Sequence, residues 1–533
     1  MKHSNITRTS LLGTLLRAFR TAVIANRKNQ APVDELVDMQ KQHLLTRRRF
    51  ISQTTMASVA LGVGSSMLFS GCPRDKSSLD YSRKITIVGG GAAGLNAAYQ
   101  LKKAGIGSTI YEASNRTGGR MFTAKNIMGS GLITEIGGEF IDTIHEDMLT
   151  MATEFGLELI DVESPSEQAL IKETYYFDGQ HYTFADMVTA FQSVAAQIQA
   201  DYDLIPDDIT YLVPGAAAPF DNLSLAAYFD QIGMTGYLRK MMDVAYITEY
   251  GLEMHQQSSI NFLYLFVPEL FTNNQQLFGE SDERYKIKGG NQLLVDKLAH
   301  EVSDQIYTNH KLVAIKKTLN GNRLTFESEG NTFDLDTDFV IMTMPFSVLR
   351  DVDLSQAELS AVKMQAINEL GYGTNAKLML GFDTRYWRNL GYAGAVLSDN
   401  GIQLGWDNSQ LQTGTAGGFT VFLGGNDGVN VGLDTPETQA ALYLPKIEQI
   451  WTGATTQHNN KVSRMHWPSH PFTKGSYACY KPGQWTAFAG AEQQTEGNML
   501  FAGEHCSAAY QGYMNGALET GRVAAENLLA MIG

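Results

Sequence analysis

Cysteine is scarce in this sequence: Cys72, Cys479 and Cys506 are the only three in 533 residues. That is too few for a disulfide framework or a cysteine-rich zinc site, and no C-x-x-C pair points to thiol redox chemistry. His255, His310, His470 and His505 are scattered outside any H-E-x-x-H spacing, so no metal is expected. No G-x-S-x-G elbow marks an acyl-transfer nucleophile. Positive charge is in deficit, with 41 Lys+Arg against 56 Asp+Glu and a net charge of −15. Nucleic acid is thereby excluded as a partner, because phosphate binding needs a basic footprint. Proline is sparse at 13 residues, and no repeat or low-complexity tract stands out. What is present is 44% hydrophobic residues, enough for two or three packed units, and 51 glycines. Glycine at that level favours folds with many close backbone approaches, such as nucleotide-binding α/β proteins.

Residues 46–53 read Thr-Arg-Arg-Arg-Phe-Ile-Ser-Gln, and a Gly/Ser-diluted apolar run from Thr54 to Phe69 leads to Ser70-Gly71-Cys72. A basic patch, a modest apolar stretch and a small-residue exit make a secretory signal. Its Arg47-Arg48-x-Phe-Ile core resembles a twin-arginine signal, which implies export to the periplasm or beyond. The run is shorter than the ~20 apolar residues of a membrane span, leaving a short anchor as the alternative. Phe69-Ser70-Gly71-Cys72 resembles a lipoprotein cleavage box with Phe69 in place of the usual aliphatic residue; lipid attachment through Cys72 and plain cleavage both stay open. Residues 10–24 are amphipathic, with Leu11, Leu12, Leu15, Leu16, Phe19 and Val23 between arginines, and read as a membrane-surface helix or a dispensable leader. Segment 1–71 is therefore expected to be an address rather than a domain, and Met39 is an alternative start.

Beyond it, Lys84–Val88 is an apolar run that reads as a buried strand, followed at once by Gly89-Gly90-Gly91-Ala92-Ala93-Gly94 and a helical pattern from Leu95 to Leu101. A G-x-G-x-x-G between strand and helix is the context a dinucleotide site requires. Gly89 allows the tight turn, Gly91 lets backbone approach a pyrophosphate, and Gly94 lets helix pack on strand. Ala92 and Ala93 open the helix, whose free N–H groups face the phosphates. A second strand, Ser108–Tyr111, ends in Glu112, where ribose hydroxyls need an acceptor.

Glu112-Ala113-Ser114-Asn115-Arg116-Thr117-Gly118-Gly119-Arg120 continues this unit, and Glu135-Ile136-Gly137-Gly138-Glu139-Phe140-Ile141-Asp142 follows. Near the C-terminus stand Phe501-Ala502-Gly503-Glu504 and Gly512-Tyr513-Met514-Asn515-Gly516-Ala517. Together these motifs resemble the FAD-dependent amine oxidase family, of the monoamine oxidase and L-amino-acid oxidase type. The resemblance implies an α/β fold: a discontinuous Rossmann-type FAD-binding domain over 84–149, 287–349 and 491–533, with an inserted α+β substrate-binding domain. The insertion comprises a helical part, 150–286, and a strand-rich part, 350–490. By the same resemblance, Ala113, Arg120, Gly137, Gly138, Glu139, Phe140, Val313, Glu504, Gly512, Tyr513 and Met514 join Gly89, Gly91, Ala92, Ala93, Gly94 and Glu112 around FAD. Read on its own physics, a strand ending in Glu504 and a helix opening at Gly512 present a positive dipole end that can stabilise a reduced flavin.

Ala376–Phe382 holds one charge, Lys377, inside an apolar strand. An inward lysine must be neutral, paired or hydrated, whereas on a half-exposed face it needs nothing. The family places it beside the flavin N5 nitrogen, holding a water. Tyr477 and Tyr513 would form an aromatic cage that receives an amine, with Trp485 alongside and Trp387 in an aromatic pair downstream of the strand; the plain alternative for the tyrosines is the core. Where monoamine oxidases carry a cysteine joined to FAD, this chain has Ser476, so FAD is expected to be non-covalent. Cys479 and Cys506 read as buried neutral thiols.

The resemblance implies oxidation of an L-amino acid to a 2-oxo acid, ammonia and, with dioxygen, hydrogen peroxide. The alternative is a mono- or polyamine oxidase with the same flavin chemistry, and a non-enzymatic FAD-binding lipoprotein is the third reading. Phe140 stands where many L-amino-acid oxidases carry a carboxylate-binding arginine, leaving Arg239, Arg284 and Arg464 as substitutes. Asp142 stands where some polyamine oxidases carry an acidic residue. Homo-oligomerisation stays open.

Acid or heat denaturation should release all flavin colour into the supernatant; colour kept by the precipitated chain would contradict the reading of Ser476. Replacing Arg47 and Arg48 together by Lys should strand FAD-loaded protein in the cytoplasm, because a non-covalent cofactor crosses only inside a folded chain. Unchanged export of that double variant removes the twin-arginine reading.

Overall fold

The computed structural model describes residues 9–26, 32–37, 79–266 and 281–533. Arg47, Arg48 and Cys72 lie outside them.

Ile85–Val88 is buried at every position, as a strand covered on both faces must be. It pairs in parallel with Thr109–Tyr111 on one side and Phe339–Met342 on the other. Met499–Phe501 and Ile306–Tyr307 extend this all-parallel sheet to five strands, gathered from three separate stretches of chain. The connecting helix Ala92–Lys103 and the C-terminal helix Met514–Ile532 pack on it through Leu95, Leu101, Leu518 and Leu528. The helix approaches its strand so closely that a Cβ on Gly94 would lie 2.0 Å from the Gly89 carbonyl oxygen. Glycine is the side chain that this contact accepts.

A seven-stranded sheet forms the second layer, in the order His458–His466, Ala376–Phe382, Gly417–Leu423, Gln403–Asp407, Tyr392–Ser398, Ile171–Phe177 and Gln180–Tyr182. Ala376–Phe382 is buried throughout and antiparallel to both neighbours. The last two strands come from 150–286, so that stretch is not purely helical: it completes the sheet at one edge. Lys311–Lys317 and Asn322–Ser328 pair antiparallel in a smaller four-stranded sheet. Within the strand-rich part, Tyr477–Tyr480 forms no strand but a loop tied by one bridge, Tyr372 to Ala478. Gly475 and Pro482-Gly483 bracket it too tightly for a ladder.

Residues Ser10–Ala25 form a helix, as their periodicity suggests, but its apolar stripe does not face outward. Every position from Ser10 to Val23 except Arg17 is buried. Phe19 packs against Phe191 and Phe266 with ring centroids 5.8 and 5.5 Å away. A membrane-surface or dispensable leader helix would leave those side chains without protein cover; here they belong to the core of the helical insertion. Among the described residues, no helix is long and apolar enough to cross a membrane.

Candidate active site

Two helices begin at one cavity. Ala92–Lys103 starts after Gly91 and Met514–Ile532 after Tyr513, and neither has a side-chain cap. Uncapped N-termini leave backbone N–H groups for an anionic or carbonyl-rich ligand. The cavity between them, of about 430 Å³, is lined by Gly89, Gly91, Ala92, Ala93, Glu112, Ala113 and Arg120 at one end and by Lys377, Phe140, Tyr477 and Tyr513 at the other. Gly137, Gly138, Glu139, Glu504, Gly512 and Met514 also border it. A Cβ on Gly91 would meet nothing within 4 Å, so backbone is bare where a pyrophosphate would approach. The donor set thus fits the expected dinucleotide.

Glu112 ends its strand with both oxygens placed: Oε2 accepts from the Gly90 N–H at 2.7 Å and Oε1 from the Ser114 N–H at 2.8 Å. Arg120 Nη1 donates to Glu504 Oε1 at 2.8 Å and to the Ser476 carbonyl at 2.7 Å. Glu504 Oε2 in turn accepts from the Gly512 N–H at 2.9 Å, which fixes the start of the C-terminal helix relative to Arg120. Ser476 Oγ donates to Asn375 Oδ1 at 2.6 Å.

Lys377 resolves the question its strand posed: it is inward, 4% exposed and paired. Its ammonium donates to the Glu135 and Gly137 carbonyls at 3.1 and 2.9 Å and to Glu139 Oε2 at 3.1 Å. Those bonds match the three hydrogens of a lysine, so the side chain pins the 135–139 turn. The other oxygen of Glu139 lies 3.3 Å from Nζ of a second buried lysine, Lys286. Burial pushes the neighbouring Glu135 carboxyl up to about 7, although it accepts bonds from the Asn291 N–H and Thr123 Oγ1.

The walls at this end are aromatic. Trp406 stands edge-on to Phe140 at 5.8 Å and tilted to Phe422 at 5.6 Å. Tyr477 donates its hydroxyl to the Thr248 carbonyl, and Tyr513 rests edge-on against the His145 ring at 4.8 Å. Burial lowers His145 to about 3. Asp142 lines the cavity, but its Oδ1 accepts from Ser281 Oγ and the Glu283 N–H. Burial, with Asp282 and Glu283 adding like charge, holds its carboxyl well above the usual range. A carboxyl favoured in its neutral form is poorly suited to attract a second substrate cation.

Some expected residues stand elsewhere. Gly94 lies beneath the turn, as its packing role requires. Val313 sits at a bulge in its strand, and Lys311 and Leu312 line the cavity in its place. Trp485 stacks on Tyr264 at 5.2 Å and donates to Asn261, behind the cavity wall. Trp387 is fully buried and donates to Asp407. Sequence reasoning passed over Trp406, Phe422, Glu249 and Glu283, which line the cavity. Trp406 and Phe422 meet diagonally across paired strands, Phe422 standing opposite Leu404 and Trp406 opposite Thr420, a proximity that neither strand's own sequence reports. None of the three substitute arginines reaches the cavity: Arg239 pairs with Asp230 and Asp243, Arg284 with Asp161, and Arg464 with main-chain carbonyls. Cys479 and Cys506 are buried, and burial pushes the Cys506 thiol up.

The family profile described as flavin containing amine oxidoreductase matches residues 92–529. A pseudooxynicotine dehydrogenase of Pseudomonas sp. is 24% identical over 496 residues, covering 90% of this chain and 94% of the relative. An L-amino acid dehydrogenase of Synechocystis sp. is 22% identical over 463 residues, covering 84% of this chain and 94% of the relative. Among solved structures, cyclohexylamine oxidase from Brevibacterium oxydans is similar in fold, with a TM-score of 0.72 at 19% identity, 84% of this chain and 99% of that one being covered.

Lys377→Met should leave FAD content largely intact while slowing flavin reoxidation by about tenfold or more, ~1.4 kcal/mol of barrier. Stopped-flow separates anaerobic reduction from reoxidation. Unchanged rates in both halves would show that the 135–139 turn holds without the lysine and that the ammonium has no part in the chemistry.

Proposed function

The chain belongs to the flavin containing amine oxidoreductases, which are FAD-dependent, and from that premise we propose that it oxidises a small amine rather than an α-amino acid. The observation that carries this choice is the distribution of charge in the cavity. Arg116 and Arg120 are the only arginines among its described lining residues. Arg116 follows Ser114 at the Glu112 end, and Arg120 is held by Glu504. The amine end is lined by Phe140, Trp406, Phe422, Tyr477 and Tyr513 with the carboxyl groups of Asp142, Glu249 and Glu283. A substrate carboxylate placed there would lose its hydration to aromatic rings and face other carboxyl groups, and Lys377, the lining cation at this end, already gives its hydrogens to Glu139 and two main-chain carbonyls, so the desolvation cost goes uncompensated. An uncharged or singly cationic amine meets no such penalty.

The FAD that Gly91, Glu112 and Arg120 would hold would supply a hydride acceptor for the amine Cα. The chain supplies position: Tyr477 and Tyr513 offer electron-rich faces between which an amine nitrogen can sit. Phe140, Trp406 and Phe422 keep bulk water from the reacting carbon. The uncapped N-terminus of Met514–Ile532 opens on the cavity, where its dipole would favour negative charge on a bound ligand. Dioxygen is the proposed acceptor, in competition with the dehydrogenase activity that the names of two relatives carry. Export through the Arg47-Arg48 signal belongs to the same reading.

Matched pairs of primary amines and their α-carboxylated amino acids, assayed for product imine and for hydrogen peroxide with and without an artificial acceptor, test it. The amine of each pair should be turned over at least about a hundredfold more efficiently, equivalent to ~2.7 kcal/mol of discrimination. Preference for the amino acids restores the L-amino-acid oxidase reading; turnover without peroxide makes the protein a dehydrogenase.

A further inference from the structure

Helix Ser10–Ala25 precedes the arginine pair, where a discarded leader would stand, yet it is built into the body of the protein. Thr9 caps it, its Oγ1 accepting from the Leu12 N–H at 3.2 Å. The Ser10 N–H donates to Glu283 Oε2 at 3.0 Å, Thr14 Oγ1 donates to Glu173 Oε2 at 2.6 Å, and the Leu11 carbonyl accepts from the Tyr175 hydroxyl at 2.9 Å. At the far end Asn26 Nδ2 donates to the Gln192 carbonyl at 2.8 Å. Leu15 and Phe19 are fully buried, and Phe19 fills the space between Phe191 and Phe266. Loss of the helix would bare a contiguous apolar groove of the kind that soluble proteins rarely expose. It would also strip Glu283, in the loop before Tyr285–Ile287, and Tyr175, in strand Ile171–Phe177, of hydrogen-bond partners.

The same helix borders the route to the reacting end of the cavity. Thr9 and Glu283 line the main cavity and also a second one of about 120 Å³, and both share Phe140, Leu404 and Trp406. Ser10 and Leu11 line the second alone. We propose that helix Ser10–Ala25 is retained in the mature enzyme and, through its cap Thr9 and the bond from Ser10 to Glu283, walls the outer end of the substrate cavity, whatever becomes of the segment that carries the arginine pair. An exported chain then keeps the helix either through an uncut connection or by non-covalent docking after a cut.

The test uses the full-length, FAD-loaded chain with a specific protease site in place of residues 40–46. After cleavage the N-terminal fragment should co-elute with the body on gel filtration and separate only in denaturant. Adding Leu15→Asp and Phe19→Asp should let the fragment leave. The body should then melt about 4 °C lower or more, with FAD content unchanged. Its KM for a turned-over amine should rise about threefold or more with kcat within about twofold, since the helix touches neither cage tyrosine. Free separation of the unsubstituted fragment with the melting point retained overturns retention; a departed fragment with an unchanged KM overturns the wall. Co-elution and melting involve no substrate, so their outcome is independent of the amine reading.

Discussion

Two helix N-termini without side-chain caps, at Gly91 and at Tyr513, open on one cavity, and most of the remaining architecture serves to hold them there. Their free N–H groups suit a ligand with phosphates at one end and an electron-accepting ring at the other. The five-stranded parallel sheet sets the first helix, and strand Met499–Phe501 with Glu504 sets the second. Gly94 lets the first lie against its own strand at a distance that any larger residue would prevent. Through Arg120, the glycine-rich end is tied to the carboxylate that positions Gly512.

Charge at the reacting end is arranged with similar economy. Glu139 lies between Lys377 and Lys286, so one buried carboxylate is shared by two buried cations, and the rest of Lys377 is spent on main-chain carbonyls. Breaking one member of such a group leaves an uncompensated buried charge, which is costly. Behind the cage, His145 packs on Tyr513 and lies 3.4 Å from Asp142. Its Nδ1 accepts from the Asp142 N–H at 3.0 Å, which leaves Nε2 to carry the proton of a neutral ring toward that carboxyl. This end of the cavity is thus bounded by aromatic faces and carboxyl groups, and the nearby Lys377 and Lys286 are both engaged with Glu139.

Local signals in the sequence were read well where one stretch of chain determines the outcome. The Gly89–Gly94 turn, the strand into Glu112, the strand Ala376–Phe382 and the C-terminal helix all lie where their patterns place them. What sequence could not supply is which surfaces meet. The apolar stripe of Ser10–Ala25 looks the same whether it covers lipid or protein; only the neighbouring Phe191 and Phe266 decide. Family resemblance places Trp485 beside the tyrosine pair, yet a stack on Tyr264 turns it away. Trp406 and Phe422 gained their role from the pairing of their strands. Three arginines free to bind a carboxylate in the sequence are committed elsewhere once the fold is formed.

Hydride transfer from an amine carbon inside this cavity is the step that the proposed function requires. Anaerobic mixing of the FAD-loaded protein with a primary amine, as the protiated and the α-dideuterated compound, measures that transfer without regard to the final acceptor. Complete loss of the oxidised-flavin colour, slower with the deuterated amine, is the predicted result. A flavin that stays oxidised at saturating amine, or that is bleached by L-amino acids alone, would contradict it.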